Sequence, residues 1–393
     1  MKNLISNQKG ALNFTLLFAI VIFCSVNFSS RAQVVSVTNP TNCTPNLAAT
    51  YGSLSAAITA LDGATSFTGP VTITLNSGNA QTAPAGGYVI NFTGATSLAN
   101  NVTINGSNNT ITAFTPQTVG SVNDAIFKII GSDFVTIQNF TMQENAGNVV
   151  NTPAASNNMT EWGIALLYAS TTNGAQNNTI TNNSISLNRT YANTFGIYSN
   201  TRHSATSVTV TADITNNTTG PNSNNKVYTN TISNVNMAIA FIGSGTAANQ
   251  DAGNDIGGAS GATGNIISNW GGAAALTSYI SNSGTSYCIF VNHQTGENVS
   301  YNTITSATIS GTSVTLRGIF KDYTAIAPVG TFTSSITNNT VTITDNFTSG
   351  TLECIRSQGM TALSTATINI NNNTILNSSM GGGSIFNCIS WNY

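Results

Sequence analysis

The residues able to do chemistry are few, and they gather late in the chain. Arg317, Lys321, Asp322, Tyr323, Glu353, Arg356 and Gln358 lie close together in a sequence that holds only Lys+Arg 10, Asp+Glu 12 and His 2 among 393 residues. Such a set could hold an anionic polymer by its cations, or place an acid and a base about a glycosidic bond. When the chain is aligned on a recurring Ile, Asn200, Asn292, Asp322, Gln358 and Asn392 share one offset, and Tyr198, Phe290, Phe320, Arg356 and Ser390 share another. If the Ile points inward along a strand, both offsets point outward. Aromatic rings stack on the apolar face of a pyranose, and amides or carboxylates bond its hydroxyls. The candidate ligand-binding stripe is therefore Tyr198, Phe290, Asn292, Arg317, Phe320, Lys321, Asp322, Tyr323, Arg356 and Gln358. The bland account of the same residues is a solvated face carrying an Arg317–Glu353 pair between neighbouring repeats, worth little if exposed.

Other constellations are thinner. Asp251-Ala252-Gly253-Asn254-Asp255-Ile256-Gly257-Gly258 is one imperfect copy of a calcium-binding turn, which makes Asp251 and Asp255 weak metal candidates. No cofactor is expected beyond that calcium. His203 and His293 have no recognisable partner as bases, and no residue is assigned a catalytic role. Cys354 and Cys388 fall at equivalent positions of successive repeats, where side-by-side Cβ vectors suit stacked free thiols better than a disulfide. Thr-x-Thr strings such as Thr209-Val210-Thr211 and Thr342-Ile343-Thr344 raise an ice-binding face. Such a face needs the threonines in one column, and the unequal loop lengths argue against that.

Charged residues make up 6% of the chain against 40% hydrophobic, whereas an ordinary domain carries about a quarter charged residues. That deficit excludes coiled coils and most cytoplasmic enzymes, while the apolar share still allows a core. Lys2 and Lys9, the apolar stretch from Leu12 to Val26, and Ser30-Arg31-Ala32 read as a secretory signal peptide over residues 1–32. Its removal takes Lys2, Lys9 and Arg31, leaving 7 basic against 12 acidic residues, net −5. A mildly acidic mature chain speaks against nucleic acid, and no transmembrane segment is expected in it.

Repeats set the architecture. Gly163-Ile164, Gly196-Ile197, Ala238-Ile239, Cys288-Ile289, Gly318-Ile319, Cys354-Ile355 and Cys388-Ile389, with Ala125-Ile126 before them, recur every 30 to 50 residues. Each is followed by an Asn-rich alternating stretch, as in Asn178-Thr179-Ile180-Thr181-Asn182-Asn183-Ser184-Ile185 and Ile336-Thr337-Asn338-Asn339-Thr340-Val341. Alternation with period two marks strands with one buried face, and a stacked rung of short strands describes an all-β parallel solenoid. Asn suits the bends because it tolerates left-handed backbone and its amide can bond to the next rung. Leu54, Ile58 and Leu61, with Ser53 as N-cap, predict one short amphipathic helix covering the first rung.

The Gly-Ile or Cys-Ile starts and the Asn-x-x-Ile turns resemble the right-handed parallel β-helix repeats of the pectate-lyase-like superfamily, in the form found on secreted and surface proteins of Bacteroidota. The resemblance covers residues 86–393, with an N-terminal cap and first strands over 33–85. It implies an exported or surface-displayed β-helix acting as a binding or adhesive module for polysaccharide. Polysaccharide lyase or glycoside hydrolase activity, or a stalk for a C-terminal region beyond Tyr393, are the alternatives. Of the strings a polygalacturonase-like site would show, Asn-Thr-Asp, Asp-Asp, Gly-His-Gly and Arg-Ile-Lys are all missing.

Overall fold

The computed structural model describes residues 34–119, 123–151, 157–204, 220–272, 285–311, 314–323, 328–347, 349–359, 365–382 and 385–392. Residues 1–32, read from sequence as a signal peptide, and Thr209-Val210-Thr211 lie outside the described residues. What folds is a right-handed parallel β-helix whose rung has three strand faces. The first face is a nine-stranded parallel sheet running from Tyr88–Ile90 through Ala125–Ile130, Trp162–Tyr168 and Met237–Ile242 to Ile385–Asn392. Second and third faces follow it in each rung, for example Thr179–Thr181 and then Ser184–Ser186, or Asn298–Ser300 and then Thr303–Ser306. At the N-terminal end the predicted helix is present as Leu54–Asp62, its first turn closed by Ala56 N donating to Ser53 Oγ at 3.1 Å. It buries Leu54, Ala57, Ile58 and Leu61. Parallel stacking begins at Val71–Leu75, which pairs with Val102 onward, inside the stretch read from sequence as N-terminal cap and first strands.

The corners explain the asparagines. Between the second and third faces, a residue with positive φ precedes an Asn that is buried or, in the last rung, half-buried: Asn182 (φ 55) before Asn183, Asn338 (φ 58) before Asn339, Asn372 (φ 54) before Asn373. Asn230, Asn265 and Asn302 occupy the same column. Each buried amide accepts, at Oδ1, the backbone N–H of its equivalent one rung earlier: Asn183 N to Asn230 at 3.1 Å, Asn230 N to Asn265 at 3.0 Å, Asn302 N to Asn339 at 3.0 Å and Asn339 N to Asn373 at 3.0 Å. Its Nδ2 reaches back to a carbonyl of that earlier rung, as Asn230 does to Ile180 O at 2.9 Å and Asn339 to Val299 O at 2.8 Å. A corner cannot join the strand ladder, so without these side chains its amide would be buried and unpaired. A second ladder of the same design runs through Asn178, Asn225 and Asn254 at the corner between first and second faces.

The Ile alignment is found as read. Ile164, Ile197, Ile239, Ile289, Ile319, Ile355 and Ile389 pair in sequence along the first face. All but Ile389 are fully buried. The first copy needs correction: Phe127, not Ile126, pairs with Ile164. The small residue before each Ile has a steric cause. A Cβ on Gly196 would stand 2.5 Å from Ile232 Cγ2, and on Gly318 2.4 Å from the Cys354 carbonyl oxygen. No described cysteine is in a disulfide, and Cys354 is buried one rung from the exposed Cys388.

Two substitutions separate these roles. Asn302→Ala strips partners from the Asn265 backbone N–H and from Ile256 O, and should lower stability by about 2 kcal/mol or more. Ile319→Asp puts an unpaired carboxylate in the core and should leave little folded chain at ambient temperature. Thermal melts followed by far-ultraviolet circular dichroism measure both; an Asn302→Ala melt equal to wild type would refute the ladder's energetic role.

Candidate functional site

The stripe proposed from sequence aligns as expected but does not form a surface. Tyr198, Phe290 and Phe320 stack in register on the outer side of the first face, and they are 0%, 1% and 0% exposed. They belong to a second apolar cluster with Trp162, Phe195, Met237 and Tyr287. The Tyr287 and Phe290 rings stack at 4.6 Å, and Phe290 on Phe320 at 5.3 Å. Rings so enclosed cannot accept a sugar. The signal was in the sequence: Trp162–Tyr168 and Met237–Ile242 are unbroken apolar runs rather than alternating ones, the mark of strands buried on both faces.

The charges of the stripe are likewise engaged internally. Glu353, buried, receives Arg317 Nε at 2.5 Å, Arg356 Nη1 at 2.6 Å and Ser390 Oγ at 2.9 Å. The Arg317 guanidinium also lies 4.4 Å over the Phe320 ring, closing the end of the aromatic stack. Burial acts to raise the Glu353 carboxyl, but the bonds and charge of Arg317, with bonds from Arg356 and Ser390, outweigh it and hold it below its ordinary value. Gln358 takes Arg356 Nε at 2.7 Å and donates to Asp322 Oδ1 at 3.2 Å. Asn292 Nδ2 donates to Asp322 O at 3.4 Å. Asp322 and Asn292 are buried. The Arg317–Glu353 pair anticipated between rungs is present, as part of a buried network rather than a solvated face.

Lys321 marks an exception in the inner ladder. Glu297 stands where Asn178, Asn225 and Asn254 stand in earlier rungs, as Asp255 pairing with Asn298 shows. A carboxylate cannot donate as an amide does, so the corner needs cations and hydroxyls instead. Lys321 Nζ contacts Glu297 Oε1 and donates to Tyr323 Oη at 2.8 Å, while Ser334 Oγ donates to Glu297 Oε2 at 2.6 Å. Tyr323 Oη in turn donates to Gln294 O. Burial lowers the Lys321 ammonium pKa against the raising effect of Glu297. This arrangement repairs a corner and offers a ligand nothing.

Asp251 and Asp255 lie in different columns. Asp251 accepts Asn222 N at 2.9 Å and Gln294 Nε2 at 3.0 Å, continuing a ladder. Asp255 accepts the Tyr228 hydroxyl at 2.5 Å, Asn298 Nδ2 at 2.8 Å and Gly258 N at 3.0 Å. Among the described residues no three His, Cys, Asp or Glu gather as a metal site.

Sequence reasoning missed an open groove of about 500 Å³ between the third and first faces, early in the solenoid. Glu144, Asn145, Asn148, Asn151, Asn188 and Thr190 line it beside Met159 and Leu187. The turn after Val135–Gln143 is tied to the rung below by Asn145 Nδ2 to Ala113 O at 3.0 Å and Asn148 Nδ2 to Phe114 O at 2.9 Å. Glu144 is a brace: it accepts Asn145 N, Asn148 Nδ2, Thr160 Oγ1 and Thr160 N at 2.7–3.0 Å. With both Asn148 donors taken, its amide cannot flip, and Oδ1 is left as a buried acceptor with no donor. Asn151 Nδ2 bonds Thr190 Oγ1 at 2.9 Å across the groove. Behind it Asp124 and Glu161 are raised by burial, Glu161 further by the Asp124 charge. The Asp124 N–H donates to Glu161 at 2.8 Å and the Tyr191 hydroxyl to Glu161 at 3.1 Å, while the Asp124 carboxyl accepts Thr118 N at 2.8 Å, so both carboxyls are engaged within the protein.

No protein-family model and no curated protein matches the chain. Among solved structures, the Streptococcus pneumoniae surface protein and adhesin PfbA is similar, at 13% sequence identity and a TM-score of 0.38, over 86% of this chain and 95% of that one. Nothing about function follows from so distant a likeness. Among the described residues no helix is long and apolar enough to cross a membrane.

The Glu353 network gives a pH prediction. A carboxyl held below its unfolded value stabilises the fold above that value and loses the contribution as pH falls through its folded one. Glu353→Gln should therefore melt lower than wild type at pH 7, by on the order of 2 kcal/mol once the partial exposure of the two arginines is discounted. The gap should close below the ordinary glutamate range. Melts from pH 7 to pH 3 test this, and a gap independent of pH would refute it.

Proposed function

We propose that the protein is an exported or surface-displayed β-helix that binds saccharide, and that the ligand sits in the groove beside Glu144. The observation carrying this reading is the lining of the groove, where four amides, Asn145, Asn148, Asn151 and Asn188, stand beside Thr190 on a turn held in place by Glu144. Amides offering both donor and acceptor fit vicinal hydroxyls, and Met159 and Leu187 supply apolar contact for the ring carbons. Among the described residues no Lys or Arg lines the groove, and Glu144 is its only ionisable group. Together with the internal pairing of Arg317, Lys321 and Arg356, this shifts the expected ligand from acidic to neutral polysaccharide.

Retention on neutral glycan gels and titration calorimetry with the released oligosaccharides test the reading. Asn151→Ala combined with Thr190→Val changes exposed groups, should leave the melt unchanged and should weaken binding about tenfold, near 1.4 kcal/mol. Asn148→Leu should abolish binding. Equal binding by the double variant, or no binding of any neutral glycan by wild type, would overturn the assignment.

A further inference from the structure

The third face carries a second kind of order. Thr141, Ser184, Thr231, Thr303, Thr340 and Thr374 fall in one outward column, interrupted at Ile266. Two residues along each strand, Ser186, Ser233, Ser268, Thr305 and Thr342 form a parallel column that begins at Thr112 and Gln143. Neither column holds a charged or aromatic residue. Beneath them Ile185, Ile232, Ile267, Ile304 and Val341 are buried, which fixes the strands that carry the hydroxyls.

The unequal loops do not disturb this register. They enter mainly before and after the first face, whereas second and third faces are joined by a two-residue corner in most rungs, such as Asn182-Asn183 or Asn338-Asn339. The Asn ladder at that corner then holds successive third-face strands in step. The result is a two-dimensional array with about 4.8 Å between rungs and about 6.6 Å along a strand.

The hydroxyls of the two faces behave differently. On the second face they bond one another: Ser300 Oγ lies 3.0 Å from Thr337 Oγ1, and Thr181 Oγ1 lies 3.0 Å from Thr229 Oγ1 in the corner at its end. On the third face Thr231, Thr303, Thr305 and Thr374 are exposed, and the bonds to column hydroxyls lie early in the second column, from Gln143 to Thr112 at 3.1 Å and from Asn234 to Ser186 at 2.9 Å. Among the described residues no protein group bonds the hydroxyls of Thr141, Ser233, Ser268, Thr303 or Thr340, which leaves them to solvent. A partner matching this face must be neutral, hydrogen-bonding, and periodic in both directions at these spacings. A sugar chain would call for a concave site with apolar contact for its ring carbons, and an acidic polymer for cations; the columns offer neither. Both spacings lie near repeats of the oxygen lattice in hexagonal ice, and each threonine adds a methyl that limits the positions its bound water can take.

We infer that the third face binds ice, ordering water between its Thr and Ser columns into a layer that joins the crystal. The test is retention of fluorescently labelled full chain in a slowly growing ice hemisphere, with labelled albumin as the reference, together with freezing hysteresis of the same solution. The chain should be taken into the ice while albumin is excluded. Thr303→Tyr with Thr340→Tyr should lower retention at least fivefold and remove the hysteresis, whereas Ser335→Tyr on the second face should leave both unchanged. Circular dichroism confirms that each variant is folded, and Thr305→Lys with Thr342→Lys serves as a second third-face variant should the first fail to fold. Exclusion of wild type from ice to the same degree as albumin overturns the inference, as does equal retention by every folded variant. Saccharide binding in the groove is measured separately and is unaffected by either result.

Discussion

The rest of the structure depends on how a corner satisfies its backbone. A rung of a parallel solenoid must turn, and at each turn an N–H leaves the strand ladder while remaining inside the protein. The buried Asn of the next rung supplies the acceptor, and its own Nδ2 bonds back to the rung below, so every corner is completed only by its neighbour. Stability is therefore coupled from rung to rung rather than held within one. The positive-φ residue before most ladder positions follows from the same turn, which is why Asn occurs twice in Asn182-Asn183 and Asn338-Asn339 for two different reasons.

The scarcity of charge is consistent with this design. A core running the length of the chain leaves little room for ions, and several of the buried ones close gaps in the ladders or the sheets. Glu297 enters a ladder position and brings Lys321 with it. Asp251 continues a ladder by accepting from Asn222 and Gln294. Glu353 gathers two arginines on the outer side of the first face, where the aromatic stack ends. A charged residue in such a sequence first marks a place where the repeat departs from its rule. Concentration of charge alone was thus a guide to buried networks rather than to an open surface.

What could be read from the sequence was whatever repeats. The Ile column, the Asn corners and the helix Leu54–Asp62 each have a periodic or capping signature, and each stands where it was read. Position along the solenoid was legible; depth was not. The outward offset of Tyr198, Phe290 and Phe320 was correct, yet outward from one core proved to be inward to another, since these rings pack with Trp162, Phe195, Met237 and Tyr287 in a second buried cluster. That cluster is assembled from different rungs and leaves only the unbroken apolar runs as a trace. The groove was illegible for a related reason. Glu144, Asn148 and Thr190 acquire meaning only when the turns of successive rungs are laid side by side, and no spacing along the chain announces that.

The third face shows the opposite failure, in which regularity was present and discounted. Varying distances between Ile repeats suggested that no surface column could stay in register. The variation resides in the connections to the first face, while the two-residue corner fixes the third face to the second. Loop length and strand register are independent wherever a short, bonded corner separates them, so columns should be judged by distance to the nearest ladder Asn. By that measure Thr303 and Thr340 each directly follow a ladder residue, Asn302 and Asn339, and their alignment is set by the same amides that hold the fold together.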